Sequence, residues 1–334
     1  MKHTITLIPG DGIGPEVASA MQEVVESAGI DVQWETYEAG EAAYQKCGQY
    51  LPDDLLESIR RNRVAIKGPV TTPVGEGFAS INVALRKTFN LYANFRPIRN
   101  MPGVKTPFDN VDLIVVRENT EDLYSGLEHV VVPGVVESLK IITAEASTRI
   151  ARFAFEYARQ NHRKKITAIH KANIMKLSDG LFLKCVRDVA QLFPEVFYEE
   201  LIVDNACMQM VLNPQQFDVM LMENLYGDIL SDLGAGLVGG LGLVPVANLG
   251  EDCALFEPVH GSAPRIAGKG MANPTAMLLS AVLMFQHLGE SEKAHRIQSA
   301  IERVYTRGVF LTPDIGGSTT TSQFTEAVMQ HLVN

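Results

Sequence analysis

Short runs of β-branched and aliphatic residues alternate along the chain with segments whose apolar positions recur at helical spacing. Residues 4–8 form the first run, and a turn containing glycine and proline follows it. The next segment carries Val17, Ala20, Met21, Val24, Val25 and Ala28 on one stripe, and Pro15 suits its first turn. Further strands are predicted at 30–34, 64–67, 113–116, 166–169, 219–222 and 254–256. Helical periodicity covers 181–192, 228–237, 276–288 and 292–307. Strands separated by helices predict an α/β fold with a largely parallel sheet between helical layers. Residues 130–143 break the rhythm: two β-branched runs flank Pro133-Gly134 and predict a small antiparallel arm.

A chain of 334 residues is long enough for two domains at roughly 150 residues each. With 46% hydrophobic and 20% charged residues, disorder, collagen and coiled coil are excluded. The net charge of -10 argues against a nucleic-acid surface, and the basic clusters 60–63 and 163–165 read as solvated faces. Cys47, Cys185, Cys207 and Cys253 are scattered without a C-x-x-C, so neither a disulfide framework nor a zinc site is indicated. Gly10-Asp11-Gly12 interrupts the N-terminus before a secretory apolar region forms, and the uncharged stretch 233–250 is glycine-rich and contains Pro245. The expectation is a cytoplasmic protein with no membrane and no nucleic-acid partner.

Gly10-Asp11-Gly12-Ile13-Gly14-Pro15 follows the first strand, but Pro15 stands where a dinucleotide fingerprint needs its last glycine. A tight strand-to-helix turn accounts for these glycines. Asp228 and Asp232, four apart in a helical pattern, share one face. They either face solvent near a helix start or offer hard oxygen ligands to a divalent cation. Arg86 shares a helical face with Asn82, Arg96 follows, and Arg117 ends an apolar strand, where a buried guanidinium needs an acid or an anion. Salt bridges to Glu118 or Glu121 would satisfy Arg117, and Ser80 would serve as a helix cap. Alternatively, the three arginines would clamp a polycarboxylate. Tyr124 and Lys171 are acid–base candidates, since a nearby ammonium lowers a tyrosine pKa. Residues 257–269, rich in glycine, proline and alanine, form a loop after a strand, suited to a flat or phosphorylated ligand or simply to the surface.

The motifs IPGDGIGPE (8–16), RENTEDLYSG (117–126), HKANIMKLSDG (170–180), NLYGDILSD (224–232), HGSAP (260–264) and ANP (272–274) span the chain. In these it resembles the β-decarboxylating dehydrogenases, the family of isocitrate, isopropylmalate, homoisocitrate and tartrate dehydrogenases. Within that family it is most similar to the short-chain NAD-dependent isocitrate dehydrogenases. The resemblance implies a two-domain isocitrate/isopropylmalate dehydrogenase-like fold that is not a Rossmann fold. A large cofactor-binding domain would comprise 1–91 and 239–334, and a small domain 92–238. The arm would join two copies in a homodimer or higher oligomer, with active sites shared between subunits.

The implied reaction is oxidative decarboxylation of isocitrate to 2-oxoglutarate and CO2 with reduction of NAD, aided by Mg2+ or Mn2+. By resemblance, Arg86, Arg96 and Arg117 clamp the substrate carboxylates, with Ser80 and Asn82 selecting among substrates. Asp228 and Asp232 are implied metal ligands, with Asp204 from the other subunit. Tyr124 and the partner subunit's Lys171 are the implied proton-transfer pair. Ile13, Thr72, Glu257, His260, Gly261, Ala263, Ile266 and Asn273 would line the cofactor site, with Asn173 arriving across the dimer. A polar Ser80–Asn82 pair favours isocitrate over isopropylmalate, whereas homoisocitrate, one methylene longer, is harder to exclude.

Arg265 departs from the aspartate usual in NAD-linked relatives and would suit the 2′-phosphate of NADP. Ile266, Ala272 and Asp314 fit NAD, so NAD is expected and NADP is the alternative. Asp122 and Glu223 also differ from residues common in NAD-linked members, and nothing in the sequence explains either. Heteromeric relatives include regulatory subunits that lack catalytic residues. Here Arg117, Tyr124, Lys171, Asp204, Asp228 and Asp232 are all present, so a catalytic chain is expected.

Overall fold

The computed structural model describes residues 2–72 and 80–333. Contacts divide the chain into two compact units: 1–89, 100–107 and 238–334 form the first, and 90–99 with 108–237 the second. The sequence placed 100–107 with the middle of the chain. It joins the first unit because Gly103, in the left-handed region, lies directly against the Tyr305 backbone and Val104 lies against Gly239.

In the first unit the strands run in the order Val32–Thr36, His3–Ile8, Val64–Lys67, Ala254–Pro258 and Pro245–Leu249. Neighbours are parallel except the last pair. Val64–Lys67 is buried along its whole length, as expected of a parallel strand covered on both faces. Helix Thr275–His287 lies against the last two strands with nearly every residue buried. Helices Gly14–Ser27 and Ser291–Arg307 pack on it in turn. The turn after the first strand is built for close backbone approach. A Cβ on Gly10 would collide with the Pro69 carbonyl and one on Gly12 with that of Ser262, while the Ile13 amide donates to the same Ser262 carbonyl at 2.9 Å. Gly12 thus seats the 259–274 loop, while Gly10 seats the turn after strand Val64–Lys67.

In the second unit the order is Ala93–Arg99, Asp112–Glu118, Val219–Met222, Lys165–His170 and Phe197–Ile202. The first pair is antiparallel and the others are parallel. Helices Ala144–Gln160, Ser178–Ala190, Val203–Leu212 and Asn224–Leu237 cover these strands. The predicted arm is a two-stranded ribbon, Glu128–Val132 paired antiparallel with Val135–Ser138, and its valines are exposed. It stops short of Thr143, whose hydroxyl instead accepts the Ala146 amide at 3.2 Å and caps helix Ala144–Gln160. Among the described residues, no helix is long and apolar enough to cross a membrane.

Candidate active site

In the second unit, a group of side chains converges on Asp228. Arg117, the penultimate residue of strand Asp112–Glu118, is fully buried, and a Cβ on Gly227 would overlap its stem. Its Nε donates to Asn224 Oδ1 at 2.9 Å, and its Nη1 pairs with Asp228 Oδ1. Arg96 donates from Nε to Asn94 Oδ1 at 2.8 Å and from Nη1 to Ser231 Oγ at 2.6 Å. It also reaches Asp228 at 3.5 Å and Asp232 at 3.6 Å. The Tyr124 hydroxyl donates to Asp228 Oδ2, and the Arg117 guanidinium stands 5.1 Å from the Tyr124 ring centre. The helix periodicity that put Asp228 and Asp232 on one face therefore holds, and both meet arginine. Asn94, Asn224 and Ser231, which orient the guanidinium groups, had no signal in the sequence.

Burial pushes the Asp228 carboxyl up, but the charges of Arg117 and Arg96 and the Tyr124 hydroxyl outweigh it and hold the group below its usual range. Asp232 is raised by burial, with Arg96 opposing. Burial and the bond to Asp228 raise Tyr124, so its phenol keeps its proton. The ammonium expected beside Tyr124 is not that of the same chain's Lys171, which pairs with the exposed Asp204. Two guanidinium groups face two carboxylates, so the cluster is charge-balanced as it stands. Asp228 and Asp232 supply the hard oxygens that Mg2+ or Mn2+ prefers, and both are partly exposed. Among the described residues no group of three His, Cys, Asp or Glu side chains could hold a metal.

In the first unit, Arg86 is buried and its Nη2 lies 3.3 Å from Glu257 Oε1. Glu257, expected at the cofactor, meets Arg86, Lys67 at 2.8 Å and Asn248 at 2.8 Å. Burial raises its carboxyl, but Lys67 and Arg86 more than offset this and keep it ionised. Lys67 was missed, although a lysine closing the apolar run Val64-Ala65-Ile66 carries the same signal as Arg117. Ser80 is a helix cap: its hydroxyl accepts the Val83 amide at 3.5 Å, and Thr72 lies 3.5 Å from it. Asn82 Oδ1 is buried without a hydrogen-bond partner among the described residues.

A pocket of about 370 Å3 in the same unit is lined by Ile13, Gly242, His260, Ile266, Met271, Asn273, Pro313 and Asp314. Five of these are residues the sequence assigned to the cofactor. Asn273 Nδ2 donates to Asp314 Oδ2 at 3.0 Å. Burial lowers the His260 pKa and keeps the ring neutral; one ring nitrogen meets the Gly261 carbonyl at 3.0 Å, and Nε2 is buried without a hydrogen-bond partner among the described residues. Gly261, Ala263 and Arg265 are exposed and do not line the pocket, and Ala263 sits at φ 40. Asn173 is exposed in the second unit. A separate cavity of about 560 Å3 beside helix Glu41–Cys47 shares none of these residues.

The isocitrate/isopropylmalate dehydrogenase family model matches residues 4–328. The chain is 57% identical over 330 residues to the mitochondrial NAD isocitrate dehydrogenase catalytic subunit 5 of Arabidopsis thaliana, covering 98% of this chain and 88% of that protein. It is 56% identical over 304 residues to the chloroplastic 3-isopropylmalate dehydrogenase of Solanum tuberosum, covering 91% and 85%. The solved isocitrate dehydrogenase from Methylococcus capsulatus superposes with a TM-score of 0.97 at 51% identity, covering 99% of this chain and 100% of that one. The two sequence relatives differ in named substrate but barely in identity, so identity alone does not choose between substrates. From residue 4 to residue 328, the chain belongs to the isocitrate/isopropylmalate dehydrogenase family.

Proposed function

We propose that the protein oxidises and decarboxylates isocitrate to 2-oxoglutarate and CO2, with NAD as hydride acceptor. The observation that carries this reading is the balanced cluster of Arg96, Arg117, Asp228 and Asp232 with the protonated Tyr124. When bound, NAD takes up the hydride, and a divalent cation on Asp228 and Asp232 withdraws electron density from the substrate oxygens. Arg96 and Arg117 bind the substrate carboxylates with guanidinium groups already oriented by Asn94, Ser231 and Asn224, so little reorganisation opposes binding. Tyr124 holds a proton at neutral pH and is suited to deliver it to the carbon from which CO2 departs. In this reading Lys171 and Asp204 complete the site of the partner subunit in a homodimer joined through the exposed arm.

The chloroplastic relative makes isopropylmalate the reading to exclude. The Ser80–Asn82 pair supplies polar groups that an isopropyl substituent would leave unpaired. We expect kcat/KM for isocitrate to exceed that for 3-isopropylmalate by at least about a hundredfold in initial-rate assays with NAD and Mg2+. Equal or better turnover of isopropylmalate would overturn the substrate assignment.

Cofactor preference rests on fewer contacts. Arg265 is exposed and stands outside the pocket. An exposed ion pair to a 2′-phosphate is worth up to about 1 kcal/mol. The wild type should prefer NAD, and Arg265→Asp should raise the NAD over NADP ratio of kcat/KM by no more than about fivefold. A wild-type ratio below one would replace NAD by NADP.

A further inference from the structure

Glu223, one of the two departures the sequence left unexplained, lies in a buried cluster, and the other, Asp122, lies near it. Lys140 follows the arm, and its Nζ lies 2.6 Å from Asp179 Oδ1 and 2.5 Å from Glu223 Oε2. The same nitrogen stands 4.7 Å from the centre of the Tyr226 ring. Asp179 is fully buried in the first turn of helix Ser178–Ala190. Its second oxygen accepts the Lys171 backbone amide at 2.6 Å and the Tyr226 hydroxyl at 3.1 Å. Glu223 directly precedes helix Asn224–Leu237, and its carbonyl accepts the Gly227 amide at 3.0 Å. Asp122 Oδ2 accepts the Leu225 amide at 2.7 Å, and the Asp122 amide donates to the carbonyl of Ile141, the neighbour of Lys140.

One ammonium thus lies between two buried carboxyl groups; burial, with the charges of Asp179 and Asp122, pushes that of Glu223 up to about 8, and Lys140 opposes the rise. Asp179 links it to the main chain of Lys171. Glu223 links it to the first turn of the helix that carries Asn224 and Asp228. Without the ammonium, the two carboxyl groups would lose the donor they share and one would take up a proton, so the spacing of the segments they hold would no longer be set by Lys140.

We propose that Lys140 is a positioning residue: clamped between Asp179 and Glu223, it fixes the Lys171 backbone and the first turn of the Asp228 helix relative to each other. It touches no reacting group itself. Its kinetic consequence rests on the isocitrate dehydrogenase reading, whereas its effect on the Lys171 main chain does not. A displacement of about 1 Å between proton-transfer groups costs up to about a hundredfold in rate.

The test compares the full-length wild type with Lys140→Met. Hydrogen exchange of the peptide carrying the Lys171 amide is followed without substrate, and isocitrate kinetics are followed in H2O and D2O. Exchange at Lys171 is expected to quicken by at least about tenfold. For kcat the expected fall is about ten- to a hundredfold, with KM for isocitrate within about threefold, and the solvent isotope effect on kcat should rise as proton transfer becomes limiting. If Lys140→Met does not fold, Asp179→Asn carries the test, because it keeps the shape of the acceptor and loses its charge. Unchanged exchange at Lys171 in the variant that folds overturns the proposal. So does a fall in kcat without a rise in the isotope effect. Wild-type protein inactive on isocitrate would refute the functional reading alone, since the exchange measurement still decides the role of Lys140.

Discussion

Asp228→Asn is expected to lower kcat/KM for isocitrate by at least about a hundredfold. The asparagine keeps the shape of the side chain but removes the charge on which Arg96, Arg117 and Tyr124 converge. It removes one of the two carboxylates that would hold the cation and deprives the fully buried Arg117 of the Asp228 charge. The second effect should cost about 1–3 kcal/mol of stability, a modest fall in thermal midpoint that leaves the fold intact. In parallel, EDTA should abolish wild-type turnover, and Mg2+ or Mn2+ should restore it. Full activity of rigorously metal-free protein would mean that the two aspartates serve only to neutralise the arginines.

Tyr124→Phe carries the second large effect. The phenol donates to the Asp228 carboxylate, and its raised pKa keeps the proton available. Losing a general acid costs about 10²–10⁴-fold in rate. Lys171→Met should be similarly impaired, although in its own chain Lys171 pairs with Asp204 and not with Tyr124. If each site takes Tyr124 from one subunit and Lys171 from the other, a mixed dimer holds both lesions in one site and neither in its twin. Random exchange of the two inactive variants should then restore roughly a quarter of wild-type activity. Verified exchange without recovery would return both residues to a single chain's site.

Elements and residues whose signal is local were legible in the sequence. Strand Val64–Lys67 and the helices beginning near 14, 275 and 291 follow from apolar spacing. Helix Ala144–Gln160 was missed although its faces contrast clearly: Ala146, Ile150, Ala151, Ala154, Phe155 and Ala158 form a buried stripe opposite a charged side, a signal the reading of the sequence passed over. Strands Ala93–Arg99 and Pro245–Leu249 each contain a proline, which argues against a strand when read alone. At the site, Arg117 was legible because a cation closes an apolar strand. The Lys140 cluster was not, because its partners lie 39 and 83 residues away and share no motif. Glu257 was assigned to the cofactor by resemblance alone, and its packing against Lys67 and Arg86 had no signal in the sequence.

Strand Val64–Lys67 pairs on one side with His3–Ile8 and on the other with Ala254–Pro258. Its first partner leaves the ribosome before it. The second emerges only after every strand of the other unit has been made. Through that interval the nascent chain exposes an apolar, unpaired β-edge, the kind of surface that recruits other chains into aggregates. Soluble yield is thereby tied to how quickly translation reaches residue 258 and to whether a chaperone shields that edge until it does.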